Sequence, residues 1–152
     1  MAKQDRFTEQ IRRNAVALIS LAVAVSSLGY NTWRNEKSEY NRNQRQASFE
    51  LLLKVNELRQ LVLHRHYQMD FEDRGNLKTG WALVLTVEDL AEVLDQPLPA
   101  AADKLKAVWQ SNSEQLGART AAGELDDGAV EEIMLGIDRV RGASVELLES
   151  LD

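Results

Sequence analysis

The sequence predicts an all-α protein, in which an N-terminal single transmembrane helix continues into an antiparallel four-helix bundle. Three observations predict it. Residues 15–30, AVALISLAVAVSSLGY, carry no charge. Four later stretches repeat apolar residues at the spacing of one helix face. Proline and glycine clusters separate those stretches, and the one β-like run, ALVLTV at 82–87, sits inside a helical pattern.

The first element is an anchor at residues 14–33, following a basic tail at 1–13. Arg12 and Arg13 bound the apolar run on one side, and Trp33 and Arg34 on the other. A helix over 14–33 is roughly 30 Å long, the thickness of a hydrocarbon core. Two rival readings exist. A buried core helix of this composition usually carries a polar stripe, whereas here the polar groups are Ser20, Ser26 and Ser27, which membrane helices tolerate. A cleaved signal peptide fits the basic start and the Ala22-Val23-Ala24 triplet. The apolar run continues past that triplet, however, and Tyr30 and Trp33 are interface-type aromatics.

Within the span, Ala15, Ile19, Ala22, Ser26, Gly29 and Trp33 recur at steps of 4, 3, 4, 3 and 4. Small residues on one face let membrane helices approach closely. This face is expected to pack on a second copy or on another subunit, although an alanine-rich span also produces such a face by composition alone. Lys3, Arg6, Arg12 and Arg13 precede the span, and Arg34, Lys37, Arg42 and Arg45 follow it. Four cations on each side leave the positive-inside rule tied, so the side on which the head lies stays open. Arg12, Arg13, Arg34, Lys37, Arg42 and Arg45 are the expected contacts with anionic lipid headgroups. The sequence holds no cysteine, so disulfides do not identify a compartment. The architecture is the one expected of a single-pass protein of a bacterial inner membrane.

A polar stalk follows at 34–47. The stretch NTWRNEKSEYNRNQRQ at 31–46 contains neither proline nor glycine, so nothing breaks a helix running from about residue 8 to residue 67. A flexible linker at 35–46 is the alternative. The head, residues 48–152, is acidic: residues 46–152 hold ten Lys/Arg and twenty Asp/Glu, against eight and four in residues 1–45. A charge of −10 on that part of the chain argues against nucleic acid as its partner.

The head divides into four helices. In 48–67, Leu51, Val55, Leu58 and Val62 form one face, and Ala47, Gln44 and Tyr40 extend it backwards. Residues 68–80 form a turn, with Thr79 as the expected cap of a helix over 81–95 whose face is Leu83, Val87, Leu90 and Leu94, flanked by Val84 and Ala91. The stretch QPLP at 96–99 ends it, and Pro99 opens a helix over 99–116 whose core residues are Leu105, Val108 and Trp109. Ala101 and Leu116 add to that face. The glycine-flanked segment 117–128 is a loop, and Asp126 or Asp127 caps the last helix, 127–151. There Val130, Ile133, Ile137, Val140, Ser144, Leu147 and Leu151 step by 3 and 4 in a heptad-like seam. Met134, Val145 and Leu148 widen the seam to the stripe of a bundle core.

Little in the sequence carries chemistry. His64 and His66 are the two histidines. They point roughly 200° apart on a helix and cannot share a metal, so they read as helix-end residues near a favourable dipole. Glu88, Glu92, Glu131, Glu132 and Asp138 fall on polar sides. No Glu-x-x-His pair, phosphate loop or nucleophile elbow occurs. The expectation is a non-enzymatic protein without metal or cofactor. Its partners are the bilayer and a protein, or further copies of itself, met through the anchor. It serves either as an interaction or adaptor protein, including a small accessory subunit of a membrane assembly, or as a tethered ligand-sensing bundle. A filled core favours the first and a roomy polar cavity between helices the second.

Overall fold

The computed structural model describes residues 13–151. The chain is all-helical, with four α-helices and no strand among the described residues. Helix α1 spans Ala15–Tyr67, α2 Leu77–Glu92, α3 Leu98–Asn112 and α4 Gly128–Ser150. A 3-10 turn, Ser113–Gln115, follows α3. The polar segment 34–47 is helical throughout. By contact density the chain divides after Asn41, six residues before the expected start of the head.

In the first unit α1 buries none of its most apolar 18-residue window, and the helix is long and apolar enough to cross a membrane. Arg12 and the start expected near residue 8 lie outside the described residues.

In the second unit the hydrophobic core draws on all four helices. Leu51, Val55, Leu58 and Val62 of α1, Leu105 and Trp109 of α3, and Ile133, Ile137 and Val140 of α4 are fully buried. Val130 and Leu147 are also buried. The contacts between helices pair residues in opposite order. Along α1, Arg45 reaches the Leu151 carbonyl, Arg59 reaches Asp138 and His66 reaches Asp127. Between α1 and α2, Gln44 meets Val93 whereas Leu61 approaches Gly80. Between α2 and α3, Gly80 lies against Trp109, and Glu88 pairs with Lys106.

Helix α2 departs from the expected phase. Its buried stripe is Gly80, Val84, Val87 and Ala91, while Leu83 and Leu90 are half-buried at its edge. Packing against Trp109 explains the shift. This indole is fully buried, crosses Trp81 edge-on at 6.5 Å, and occupies the space where a β-carbon at position 80 would stand. The helix therefore presents its small residues to its bulkiest neighbour, and its leucines turn to the margin. Val108 and Leu151 are likewise half-buried against the core, and Leu94 is buried just beyond the end of α2.

The helix ends also shift. Helix α2 begins four residues before the expected 81, because Asn76 caps it: its Oδ1 accepts from the Lys78 N–H at 2.8 Å. Thr79 is already inside the first turn. Helix α2 stops at Glu92, short of 95, where the side chain of Gln44 takes over the backbone partners. Gln44 Nε2 donates to the Val93 carbonyl at 3.0 Å, and its Oε1 accepts from the Asp95 N–H at 3.2 Å. The continuous helix expected over 99–116 tightens at Ser113 into the 3-10 turn. At the start of α4, Asp127 makes no cap hydrogen bond, and Asp126 Oδ1 accepts from the Gly128 N–H instead.

Candidate functional site

Two features of the described chain have functional potential: the exposed apolar part of α1, and a buried polar junction in the second unit. In the first, Val16, Leu18, Ile19, Leu21, Val23, Val25 and Leu28 are all at least half exposed. Apolar side chains point outward all round the helix. Of the expected packing face, Ile19, Ala22, Ser26, Gly29 and Trp33 are exposed and Ala15 is half-buried. They share one side of α1 by spacing alone. A β-carbon on Gly29 would meet nothing within 4 Å.

At the far end of this segment Tyr30 and Trp33 have ring centroids 6.1 Å apart, and Lys37 Nζ lies 5.8 Å over the Trp33 ring. An aromatic pair topped by an ammonium group is the chemistry that suits a headgroup boundary. Arg13, Arg34, Lys37 and Arg42 are exposed. Arg45 is a correction to the expected set of lipid-facing cations. Its Nη2 donates to the Leu151 carbonyl at 2.6 Å, so it ties α1 to the end of α4.

The junction centres on His66, which lies in the last turn of α1 as expected. It is completely buried. Its Nδ1 accepts from the Gly117 N–H at 3.2 Å, and its Nε2 lies 2.8 Å from Asp127 Oδ1. With Nδ1 accepting, Nε2 is the ring nitrogen placed to donate to Asp127. Tyr67 crosses the imidazole edge-on at 4.6 Å. Gly117 meets this geometry with φ +84°, a left-handed conformation that side chains disfavour. The network fastens both ends of loop 117–127 to the last turn of α1.

A neighbouring turn is held by charge. Arg65 Nη1 donates to the Gly75 carbonyl at 3.0 Å, and its guanidinium lies 4.8 Å from the Phe71 centroid. Partial burial lowers the pKa of Arg65. The Asp70 carboxylate accepts from the Asp73 and Arg74 N–H groups, and these bonds hold its pKa below the ordinary value. On α2, Glu88 is only 20 % exposed. It accepts from Lys106 Nζ at 2.7 and 2.8 Å, so it bridges α2 to α3 instead of decorating a solvated side. That hydrogen bond raises the Lys106 pKa.

One signal for the buried polar residues of α1 was present in the sequence. The stripe Leu51, Val55, Leu58, Val62 steps next onto His66, and it steps back onto Ser48 and Gln44, both buried. Among the described residues no group of three or more His, Cys, Asp or Glu is placed to hold a metal. One hollow beside the core is an open surface groove of about 370 Å³ lined by Glu57, His64, Arg74 and Leu83. No family model matches the chain, and neither a curated protein nor a solved structure matches it.

Proposed function

We propose that the protein is a single-pass, membrane-anchored interaction or adaptor protein, including a small accessory subunit of a membrane assembly, and that it is not an enzyme. One observation carries the reading: the window of α1 with mean hydropathy 1.5 over 18 residues is 0 % buried. A soluble helix with that many unburied apolar groups would be solvated at a cost of about 25 cal/mol for each Å² of apolar surface, whereas a bilayer removes that cost. The cell membrane expected for it is a bacterial inner membrane.

The second unit is then the working head. The opposite residue order of its helix contacts supports an antiparallel four-helix bundle. A core filled by Trp109, Leu105 and Ile137 favours a docking scaffold over a ligand-sensing chamber, since the groove lies outside that core. The anchor supplies location, and the face of Ala22, Ser26 and Gly29 supplies lateral packing.

The test is purification of the full-length protein from membranes in mild detergent, with complex mass and co-purifying chains measured together. A defined complex larger than the chain supports the reading. Full recovery in the soluble fraction after cell lysis overturns the anchor, and a strictly monomeric detergent-solubilised protein overturns the lateral packing.

A further inference from the structure

Helix α1 has a second seam that the core does not use. Phe49, Leu53, Asn56, Gln60, Leu63 and Tyr67 recur at steps of 4, 3, 4, 3 and 4, the heptad spacing of a coiled-coil contact. All six are exposed, Phe49, Leu53 and Tyr67 by more than half. The seam lies roughly 140° around the helix from Leu51, Val55, Leu58 and Val62, and runs for about 27 Å. It is uncharged over its whole length although it belongs to an acidic part of the chain. An ordinary solvated helix face carries charges at such positions.

We propose that this seam is the dimerisation surface of the head, and that its occupant is the same seam of a second copy, parallel and in register. Three arguments select that occupant. First, the central layers are Asn56 and Gln60. Each amide offers both donors and an acceptor, so in a two-fold arrangement each meets a copy of itself and both are satisfied. Lipid chains or an apolar partner helix would leave them unpaired. Second, the flanks of the seam carry opposite charge. Arg45 and Arg59 lie along one side, and Glu50 and Glu57 along the other. Arg59 and Glu57 are already bonded within the chain, to Asp138 and Lys54. The pair that a two-fold axis adds is therefore Arg45, whose guanidinium also reaches the Leu151 carbonyl, in the coiled-coil register of Glu50 of the second copy. Third, copies anchored in one bilayer at the same end of α1 are presented parallel and at high effective concentration, so a short seam suffices. This third argument rests on the anchor reading above; the first two do not. The apolar ends, Phe49–Leu53 and Leu63–Tyr67, supply the buried surface, and the amides between them set the register.

The absence of native cysteine makes the test direct. Full-length Asn56→Cys is reconstituted in phosphatidylcholine vesicles and oxidised, and Glu132→Cys, an exposed site on α4, serves as the control. The expected result is about tenfold more disulfide-linked dimer at position 56, because facing seam residues fall within disulfide reach. Adding Leu53→Glu to Asn56→Cys is expected to abolish that dimer, since two carboxylates then oppose each other. Leu53 is 64 % exposed, so the melting curve by circular dichroism stays unchanged and separates lost association from lost folding. Equal crosslinking at 56 and 132, or a crosslink that survives Leu53→Glu, overturns the proposal. Alkaline carbonate extraction of the same vesicles reads the anchor separately: protein released from the bilayer yet still crosslinked at 56 defeats the anchor reading and leaves the seam standing.

Discussion

Residues 15–41 and residues 42–67 belong to one helix and are both rich in apolar side chains, yet they dispose of them in opposite ways. In the first stretch Val16, Leu21, Val25 and Leu28 are each more than 60 % exposed and point in different directions. In the second, Leu51, Val55, Leu58 and Val62 are 0 % exposed and point one way. Pattern, more than content, separates the two. A stripe is satisfied by neighbouring helices on one side, as α2 to α4 provide. An all-round apolar surface is satisfied only by an apolar surrounding.

One carboxylate placed in each stretch is the sharpest way to break this comparison. Ile137→Asp, in the core that the α1 stripe faces, is expected to destabilise the head by roughly 4 kcal/mol or more, because a fully buried charge there has no partner. Thermal unfolding followed by circular dichroism would show it; an unchanged melting temperature would mean the seam of α4 faces solvent. Leu21→Asp is expected to do the reverse. The head melts as before, while insertion into vesicles becomes less favourable by about 3 kcal/mol. A Leu21→Asp protein that floats with vesicles as well as the parent would remove the distinction between the two stretches.

A smaller effect tests how closely the stripe side is fitted. Gly80→Ala forces a β-carbon into the Trp109 ring and is expected to cost roughly 2 kcal/mol. Trp109→Phe removes the ring atoms in the way. The double variant is therefore expected to recover about 1 kcal/mol relative to the sum of the single changes. Strict additivity in urea unfolding would show that Gly80 and Trp109 are not in contact.

These sites also mark where the sequence was legible. Periodicity pointed to an all-helical chain, because a stripe on a helix needs only regular spacing to be seen. The phase of α2 differs from that pattern because large side chains dominate the apolar periodicity. Leu83 and Leu90 outrank Gly80 and Ala91 in hydrophobicity, but the space beside Trp109 admits only small groups. The junction at His66 was half legible. Its place on the stripe follows from the spacing after Val62, whereas its partners, Gly117 and Asp127, are 51 and 61 residues away and leave no local trace. The inward use of Arg45 was hidden for the same reason, and so were the partners of Gln44, although its place on the extended face was legible. A polar residue at the end of a stripe reads as solvated until the fold brings a carbonyl to it.

Loss of that junction is expected to be milder than a core charge. His66→Ala leaves the Gly117 N–H without its acceptor and is expected to cost roughly 2 kcal/mol. The loss should appear as faster amide exchange across loop 117–127 at neutral pH. Uniform exchange across all four helices would instead mean that His66 supports the whole core.

The smallest expected effects are those of pH, and they fall at opposite ends of the scale. Asp70 has a lowered pKa, chiefly through hydrogen bonds from the Asp73 and Arg74 N–H groups. The ionised form is therefore the one the folded turn prefers. Its contribution is complete above the ordinary carboxylate value and is lost as pH falls through the lower, folded value. Lys106 has a raised pKa, chiefly through its hydrogen bond to Glu88. Its contribution is complete below the ordinary lysine value and is lost as pH rises through the higher, folded value. Both groups are near solvent, which keeps the effects small. The Asp73 and Arg74 amide resonances are expected to shift in acid with the Asp70 titration and to lose that shift in Asp70→Asn. They are expected to ignore Leu21→Asp, because the turn belongs to the unit that begins at Arg42. An acid shift that survives Asp70→Asn would assign the turn's charge sensitivity to another carboxylate.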